Sequence, residues 1–320
     1  MKKNIFVTGA AGFIGFHLAC GLKLRGDNVL GYDNFNDYYS IDLKKARLKH
    51  LRKLGIKVIK GDICNQSKLA KSVSDYKTTH IAHMAAQAGV RYSLINPQAF
   101  IKSNLDGFLN ILEICRHSTI KLVYASSSSV YGLNSKVPFS ITDPCDRQAN
   151  LYGATKKSNE LMAFSYHHLY GIHATGLRFF TVYGPWGRPD MAYFKFTKSI
   201  LEDRPIEIFN HGNMQRDFTY IDDIVEGTMA AIDLEAPYEI FNLGNHQPEK
   251  LLTMVELLEK HLGKKAKKIL LPMQPGDVLS TYADIEHSQK KLGFNPKIPL
   301  DLGLKNFVEW YTGIYPILLK

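Results

Sequence analysis

The stretch YGATK places Tyr152 and Lys156 four residues apart, one helical turn, so the two side chains share a helix face. A phenol beside an ammonium can exchange a proton with a hydroxyl near neutral pH, because a neighbouring cation favours the phenolate. Upstream, an apolar run ends in the serine cluster ASSSSVYG at 125–132. Ser127, Tyr152 and Lys156 together would supply a hydroxyl to orient a substrate oxygen, a base, and a cation to tune that base. The competing reading is a half-exposed Tyr and Lys with no chemical role. The elements that would have to position these groups decide between the two.

Those elements are legible as an alternation. Apolar, β-rich runs at 4–9, 28–33, 56–62, 79–86, 120–127 and 172–180 are separated by helical patterns, among them 13–25 and 43–54. This order predicts α/β architecture, a Rossmann-type doubly wound parallel sheet with helices on both faces. Long helices with broad apolar faces are predicted at 96–116 and 151–170. After about residue 183 Pro, Gly and aromatic residues become dense, as in YGPWGRPDMAYF at 183–194. The expected division is a dinucleotide-binding domain over 1–183, with segments near 217–242 packing back on it. A smaller, mixed α/β substrate-binding region would follow over 184–320.

The first strand runs into TGAAGFIG, with Gly9, Gly12 and Gly15 opening a helix that begins with Phe13 and Ile14. Glycines allow a tight turn and close approach to a pyrophosphate, which the free N–H groups of the helix start would receive. Asp33 ends the second strand, followed by Asn34. A carboxylate there accepts ribose hydroxyls and repels a 2′-phosphate, so NAD is expected over NADP. Asp62 and Ile63 follow the third strand and are placed to meet an adenine. Ala85, Ala86 and Gln87 follow the fourth, where small residues let a flat ligand lie against the sheet edge. Asn104, Ser126 and Phe179 complete the candidate cofactor wall, together with Tyr152 and Lys156.

Composition narrows the class. The chain has 320 residues, 45% hydrophobic and 22% charged, with a net charge of +10. That is ample for a large core. The densest basic run, KKAKK at 264–268, reads as a solvated loop, and no nucleic-acid motif is present. Cys20, Cys64, Cys115 and Cys145 have neither metal-cluster nor CxxC spacing and suit a reducing cytoplasm. His80 and His83 fall on opposite faces of a strand, which disfavours a metal site, and His167 and His168 lie far along the helix from Lys156. No apolar run reaches membrane-spanning length, so a soluble cytoplasmic protein is expected.

TGAAGFIG with YGATK resembles the extended short-chain dehydrogenases/reductases. Further stretches, among them DNFNDYYSIDLKKARL, AGVRYSLINP, SSSSVYG, RFFTVYGPWGRPDMA, MQRDFTYIDDIVEG and QPGDVLSTYAD, are similar to UDP-glucuronate 4-epimerases over nearly the whole chain. The resemblance implies an NAD-dependent isomerase that oxidises the sugar C4 and returns hydrogen to the other face of a transient 4-keto sugar. Tyr152 would take the 4-hydroxyl proton, its pKa depressed by Lys156 and the nicotinamide charge. Ser127 would hydrogen-bond the same oxygen, and Lys156 would hold the nicotinamide ribose.

The resemblance also implies contacts at the substrate end. Arg188 is the first candidate, Arg216 resembles a diphosphate-binding arginine, and Asp277 resembles an acid that holds the uridine ribose. Gln274 stands where many relatives have Arg. Arg91, Ser127, Ser128, Thr181 and Met191 would line the sugar pocket, and a polar clamp there would keep the keto acid from losing CO2. Ser128 and Ser129 replace the carboxylates of related dehydratases, and Thr181 replaces the Asn of UDP-galactose epimerases. A homodimer is implied by analogy. The open alternatives are a neutral UDP-hexose epimerase, a UDP-glucuronate decarboxylase and, from another class, a non-catalytic NAD-binding module.

Overall fold

The structure, a computed structural model, describes residues 2–318. The chain begins with β1 (Asn4–Thr8), α1 (Phe13–Arg25), β2 (Asn28–Asp33), α2 (Ile41–Lys53), β3 (Lys57–Lys60), α3 (Gln66–Asp75) and β4 (His80–His83). It continues through α4 (Val90–Ile95), α5 (Pro97–Phe100), α6 (Gly107–Arg116), β5 (Lys121–Ser127), α7 (Leu151–Tyr170) and β6 (Ala174–Phe179). Next come β7 (Thr181–Tyr183), α8 (Ala192–Leu201), β8 (Ile206–Ile208), β9 (Gln215–Tyr220), α9 (Ile221–Leu234) and β10 (Tyr238–Leu243). The last elements are β11 (Pro248–Lys250), α10 (Leu251–Leu262), β12 (Lys268–Leu270), α11 (Glu286–Leu292), α12 (Leu300–Gly313) and α13 (Tyr315–Leu318).

Seven parallel strands form the main sheet in the order β10-β6-β5-β4-β1-β2-β3. Helices cover both faces, so the strands are apolar on both sides. Ile5 and Val7 join one buried cluster with Ala82, Val123 and Leu177, whereas Phe6 joins the other with Leu30, Ile81 and Leu122. This is the two-residue period of a strand. Strand order reverses between β1 and β4, and that switch point opens a crevice at the carboxyl ends of the strands. The Rossmann-type expectation therefore holds.

Smaller sheets, β11-β9-β7 and β12-β8, stand beyond the crevice. An aromatic cluster of Phe194, Phe307, Trp310 and Tyr315 backs them. The chain also returns: β10 pairs with β6, and α9 packs so closely on α1 that a Cβ on Gly21 would lie 2.9 Å from Val225 Cγ1.

Two expectations are corrected. The segment 96–116 is not one helix but α5, a widened π-type turn at 101–106, and α6. Asn96 caps α5 by accepting from the Ala99 N–H at 3.3 Å, with Pro97 at its first position. In the widened turn the Asn104 carbonyl accepts from Asn159 Nδ2 at 2.6 Å, which draws it outward. The KKAKK run is only partly a solvated loop. Lys268 starts β12, Lys264 pairs with Asp203 at 2.7 Å, and Lys265 and Lys268 pair with buried Glu259 at 3.1 and 2.8 Å.

Candidate active site

The crevice is a cleft of about 860 Å³ lined from both the main sheet and the smaller sheets. Helix α7 delivers Tyr152 and Lys156 from its first turns. Asn150 caps it by accepting from the Gly153 N–H at 2.9 Å, and Gly171 ends it in a left-handed conformation, φ 66°. Lys156 is 2% exposed, and its Nζ donates to the Ala125 carbonyl at 2.8 Å. Burial lowers its pKa to about 8.

The protein's own groups do not lower the Tyr152 pKa as Lys156 was expected to do; the nicotinamide charge named with it is not among them. Burial raises the phenol's pKa above its ordinary value; the Ser127 hydrogen bond and the Arg188 charge act against that rise. The Lys156 ammonium is directed at a strand carbonyl and has itself lost part of its charge preference to burial, so it is not what opposes the rise. Of the protein's own groups, Arg188 takes the electrostatic role assigned to Lys156 from spacing alone.

Strand alternation separates the serines. Ser127 lines the cleft and accepts from the Ser129 N–H at 3.1 Å as the chain turns. Ser126 Oγ donates to Glu160 Oε1 at 2.7 Å, so its hydroxyl is spent away from any cofactor, although the residue still borders the cleft. Glu160, one turn beyond Lys156, also accepts from Nε and Nη2 of Arg178, at 2.8 and 2.9 Å, and both residues are buried. This ion pair joins α7 to β5 and β6. Nothing in the local spacing named it, although Tyr152, Lys156 and Glu160 recur at every fourth position.

At the other end of the cleft, Gly9, Gly12, Phe13, Ile14 and Gly15 line the wall. A Cβ on Gly15 would stand 2.2 Å from the Gly9 carbonyl oxygen, so only glycine fits there. Helix α1 starts without a side-chain cap or an acidic residue, leaving its first N–H groups open to an anion. Asp33 is held ready: its Oδ2 accepts from the Ala11 N–H at 2.9 Å and its Oδ1 from the Phe35 N–H at 2.8 Å. These features fit a dinucleotide. Asn34, Ile63, Ala85, Ala86, Gln87 and Phe179 also line the cleft.

Two expected cofactor residues act from behind the wall. Asp62 lies between the lining residues Gly61 and Ile63, with its carboxylate taken by Asn34 Nδ2 at 3.1 Å and the Cys64 N–H at 2.9 Å. Asn104 does not reach the cleft. Its amide is consumed by the Gln87 backbone, at 2.8 and 3.0 Å, and by Thr155 Oγ1 at 3.0 Å. It props the Gln87 segment and α7 instead.

At the substrate end, Arg91, Ser128, Thr181, Arg188, Met191, Arg216 and Asp277 line the cleft. Arg188 is not a free cation: Nε and Nη2 donate to Asp190 at 3.0 and 2.5 Å. Burial disfavours its charge, but Asp190 more than offsets this. Arg91 lies 3.4 Å from Asp277 and 4.5 Å above the Phe209 ring. Arg216 Nη1 donates to the Gln215 and Leu279 carbonyls at 2.7 and 3.2 Å. Burial lowers its pKa, partly offset by Asp277.

Tyr38, Lys44 and Asp190 also line the cleft and were not singled out from the sequence, although all three lie in stretches that carried the resemblance. Arg47 was missed as well. Fully buried, it donates to Ala11 O at 2.8 Å and to Trp186 O at 2.5 Å, tying the glycine loop to the Gly-Pro-Trp loop at 184–186. Among the described residues no group of His, Cys, Asp or Glu could hold a metal ion, and no helix is long and apolar enough to cross a membrane.

A doubly wound sheet, a glycine loop at its switch point, and Ser, Tyr and Lys on the crevice wall define a dinucleotide-dependent enzyme of the short-chain dehydrogenase/reductase type. Residues 5–244 match the NAD dependent epimerase/dehydratase family, and the chain belongs to that family. It is 51% identical to UDP-glucuronate 4-epimerase 4 of Arabidopsis thaliana, over 98% of this chain and 76% of that protein. The UDP-glucuronic acid 4-epimerase of Bacillus cereus, crystallised with UDP-glucuronic acid and NAD, superposes with a TM-score of 0.91. It is 37% identical, covering 98% of this chain and 100% of the other. The UDP-glucose 4-epimerase of Thermotoga maritima, with UDP-glucose, gives a TM-score of 0.88 at 29% identity, covering 97% and 98%.

Proposed function

We propose that the protein converts UDP-glucuronate to UDP-galacturonate by inverting C4, with NAD as a resident cofactor. The observation that carries this reading is one wall bearing Ser127, Tyr152 and Lys156 between a glycine loop and an arginine-rich end. The positions after Ser127 carry hydroxyls, Ser128 and Ser129, where a dehydrating enzyme needs carboxylates. The full-length similarity to UDP-glucuronate 4-epimerases supports the uronic acid over a neutral hexose.

The chain's residues divide the work. The Gly9–Gly15 loop and the start of α1 would hold the pyrophosphate, Asp33 the adenosine ribose and Lys156 the nicotinamide ribose. Bound NAD supplies reversible oxidation at C4, taking hydrogen with its electron pair and returning it, so that no net oxidation occurs. Tyr152 Oη accepts the 4-hydroxyl proton and later gives it back. Ser127 Oγ hydrogen-bonds the same sugar oxygen and keeps it aligned with the phenol. Arg91, Arg216 and Asp277 gather at the nucleotide end; Ser128 and Thr181 stand where a carboxylate clamp would act.

Two finer assignments belong to the same reading. The protein forms a homodimer through α6 and α7, supported by the exposed apolar side chains Leu109, Leu161 and Phe164. It works in the cytoplasm, supported by four cysteines that are all unpaired.

The test is to incubate purified protein with UDP-glucuronate, without added NAD, and follow the sugar by NMR. UDP-galacturonate is the expected product. UDP-xylose would establish a decarboxylase instead, and no change with uronate but turnover of UDP-glucose would move the assignment to a neutral-sugar epimerase.

A further inference from the structure

Three loops meet over the crevice beside Tyr152, and one chain of contacts joins them. The loop after β2, five residues beyond Asp33, carries Tyr38, whose hydroxyl donates to Asp190 Oδ2 at 3.1 Å. Asp190, in the loop after β7, accepts Arg188 Nε and Nη2 at 3.0 and 2.5 Å. The loop after β4 makes room for Tyr38. Gly89 has φ +109°, and a Cβ there would lie 2.4 Å from the Tyr38 hydroxyl oxygen. The Tyr38 ring also packs on Tyr92, with centroids 4.6 Å apart.

This arrangement fixes what Arg188 can do. Two of its guanidinium nitrogens are committed to Asp190, in the bidentate geometry that most restricts a guanidinium. Among the described residues Nη1 has no hydrogen-bond partner, and Arg188 lines the cleft. Arg188 is also the side chain whose charge acts on the Tyr152 phenol. The contact chain therefore runs from the segment following the candidate ribose-binding carboxylate to the cation beside the candidate base.

We propose that Asp190 and Tyr38 are positioning residues that clamp the post-Asp33 loop to the Arg188 loop and leave the Nη1 edge of Arg188 as the one face presented to the crevice beside Tyr152. Asp190 is then no substrate ligand. It is the counter-ion that holds Arg188 in one orientation, and Tyr38 couples that orientation to how firmly the dinucleotide loop closes. The inference rests on the epimerase reading for its turnover measurement and on NAD binding alone for its third measurement, the NADH titration.

The test is a double-mutant cycle of Tyr38→Phe and Asp190→Asn, read in three ways. First, kcat for UDP-glucuronate falls by about 30-fold in Asp190→Asn and about 5-fold in Tyr38→Phe, and the double variant is no worse than Asp190→Asn. Second, the affinity for UDP alone, by calorimetry, stays within about 3-fold, because the nucleotide end lies at Arg91, Arg216 and Asp277. Third, NADH titration by fluorescence shows binding weakened by about 5-fold in each single variant and no further in the double.

The proposal is overturned if Asp190→Asn keeps kcat within about 3-fold, if the two losses multiply, or if NADH affinity is unchanged in both variants. A uniform loss of UDP binding and thermal stability would likewise replace positioning with a merely structural role. Should Asp190→Asn fail to fold, Tyr38→Phe with the NADH titration still decides. Should the wild type leave UDP-glucuronate untouched, the function reading fails, while the NADH cycle continues to report on the clamp.

Discussion

Tyr152 is raised by burial and relieved by Ser127 and Arg188, so its readiness as a base depends on two groups brought to it from other parts of the chain, the end of β5 and the loop after β7. Replacing it with Phe removes the proton acceptor and little volume. Tyr152→Phe is expected to lower kcat by about 10³-fold or more while UDP affinity stays within a few-fold, measured by product NMR and calorimetry. Lys156 gives a pH prediction for the cofactor-free protein. Its folded pKa of about 8 lies below its ordinary 10.5, so the fold disfavours its charged form. That cost is fully present below pH 8 and disappears as pH rises towards 10.5. Lys156→Met should therefore stabilise the stripped protein by about 1–3 kcal/mol at pH 7, with the gain fading as pH rises from about 8 to 10.5, as denaturant melts at several pH values will show. Tyr152, Lys156 and Ser127 were legible because their signal is local: four-residue spacing and a strand end. Glu160, Arg178 and Asp190 were not, because a buried counter-ion is defined by a partner that the fold brings from another element. Glu160→Gln leaves Arg178 buried beside a neutral group and should cost about 3–5 kcal/mol in a chemical melt.

At the scale of elements, the glycine loop shows why residue type can be read without coordinates. The Gly15 Cα faces the Gly9 carbonyl so closely that no side chain fits. Gly15→Ala must displace the carbonyl or the helix start, and NADH affinity should fall by at least about 10-fold while most of the sheet persists in circular dichroism. The strands were legible for a related reason. Burial on both faces forces continuous apolar runs such as NIFVT, and helices between them leave few other topologies. The break at 101–106 was not legible. It arises because the Asn104 carbonyl turns to Asn159 and its side chain to Gln87, and apolar periodicity carries no trace of such bonds. The same limit explains KKAKK, whose lysines find Asp203 and Glu259 only once α8 and α10 are packed.

Over the whole molecule, the crevice exists because the sheet order reverses between β1 and β4 and the smaller sheets rise opposite that gap. Arginines from separate loops, Arg91, Arg188 and Arg216, converge on it, which gives the net charge of +10 a local use in receiving an anionic nucleotide sugar. Apolar side chains are left exposed on α6 and α7, among them Leu109, Leu161 and Phe164. If they pair two subunits, Leu161→Arg with Phe164→Arg should convert a dimer to a monomer in sedimentation velocity, with the catalytic set intact. What length and composition conveyed at this scale was the class of protein. Which loops face one another was set by crossovers that pair β10 with β6 and lay α9 on α1.

The central claim is that C4 is oxidised and restored within one active site, without exchange of its hydrogen. The direct measurement uses UDP-glucuronate carrying deuterium at C4, in ordinary water, with purified protein and no added NAD. UDP-galacturonate that retains the deuterium at C4 is the predicted result. Product with solvent hydrogen at C4, or label retained at C4 with solvent hydrogen entering at C5, would contradict the account.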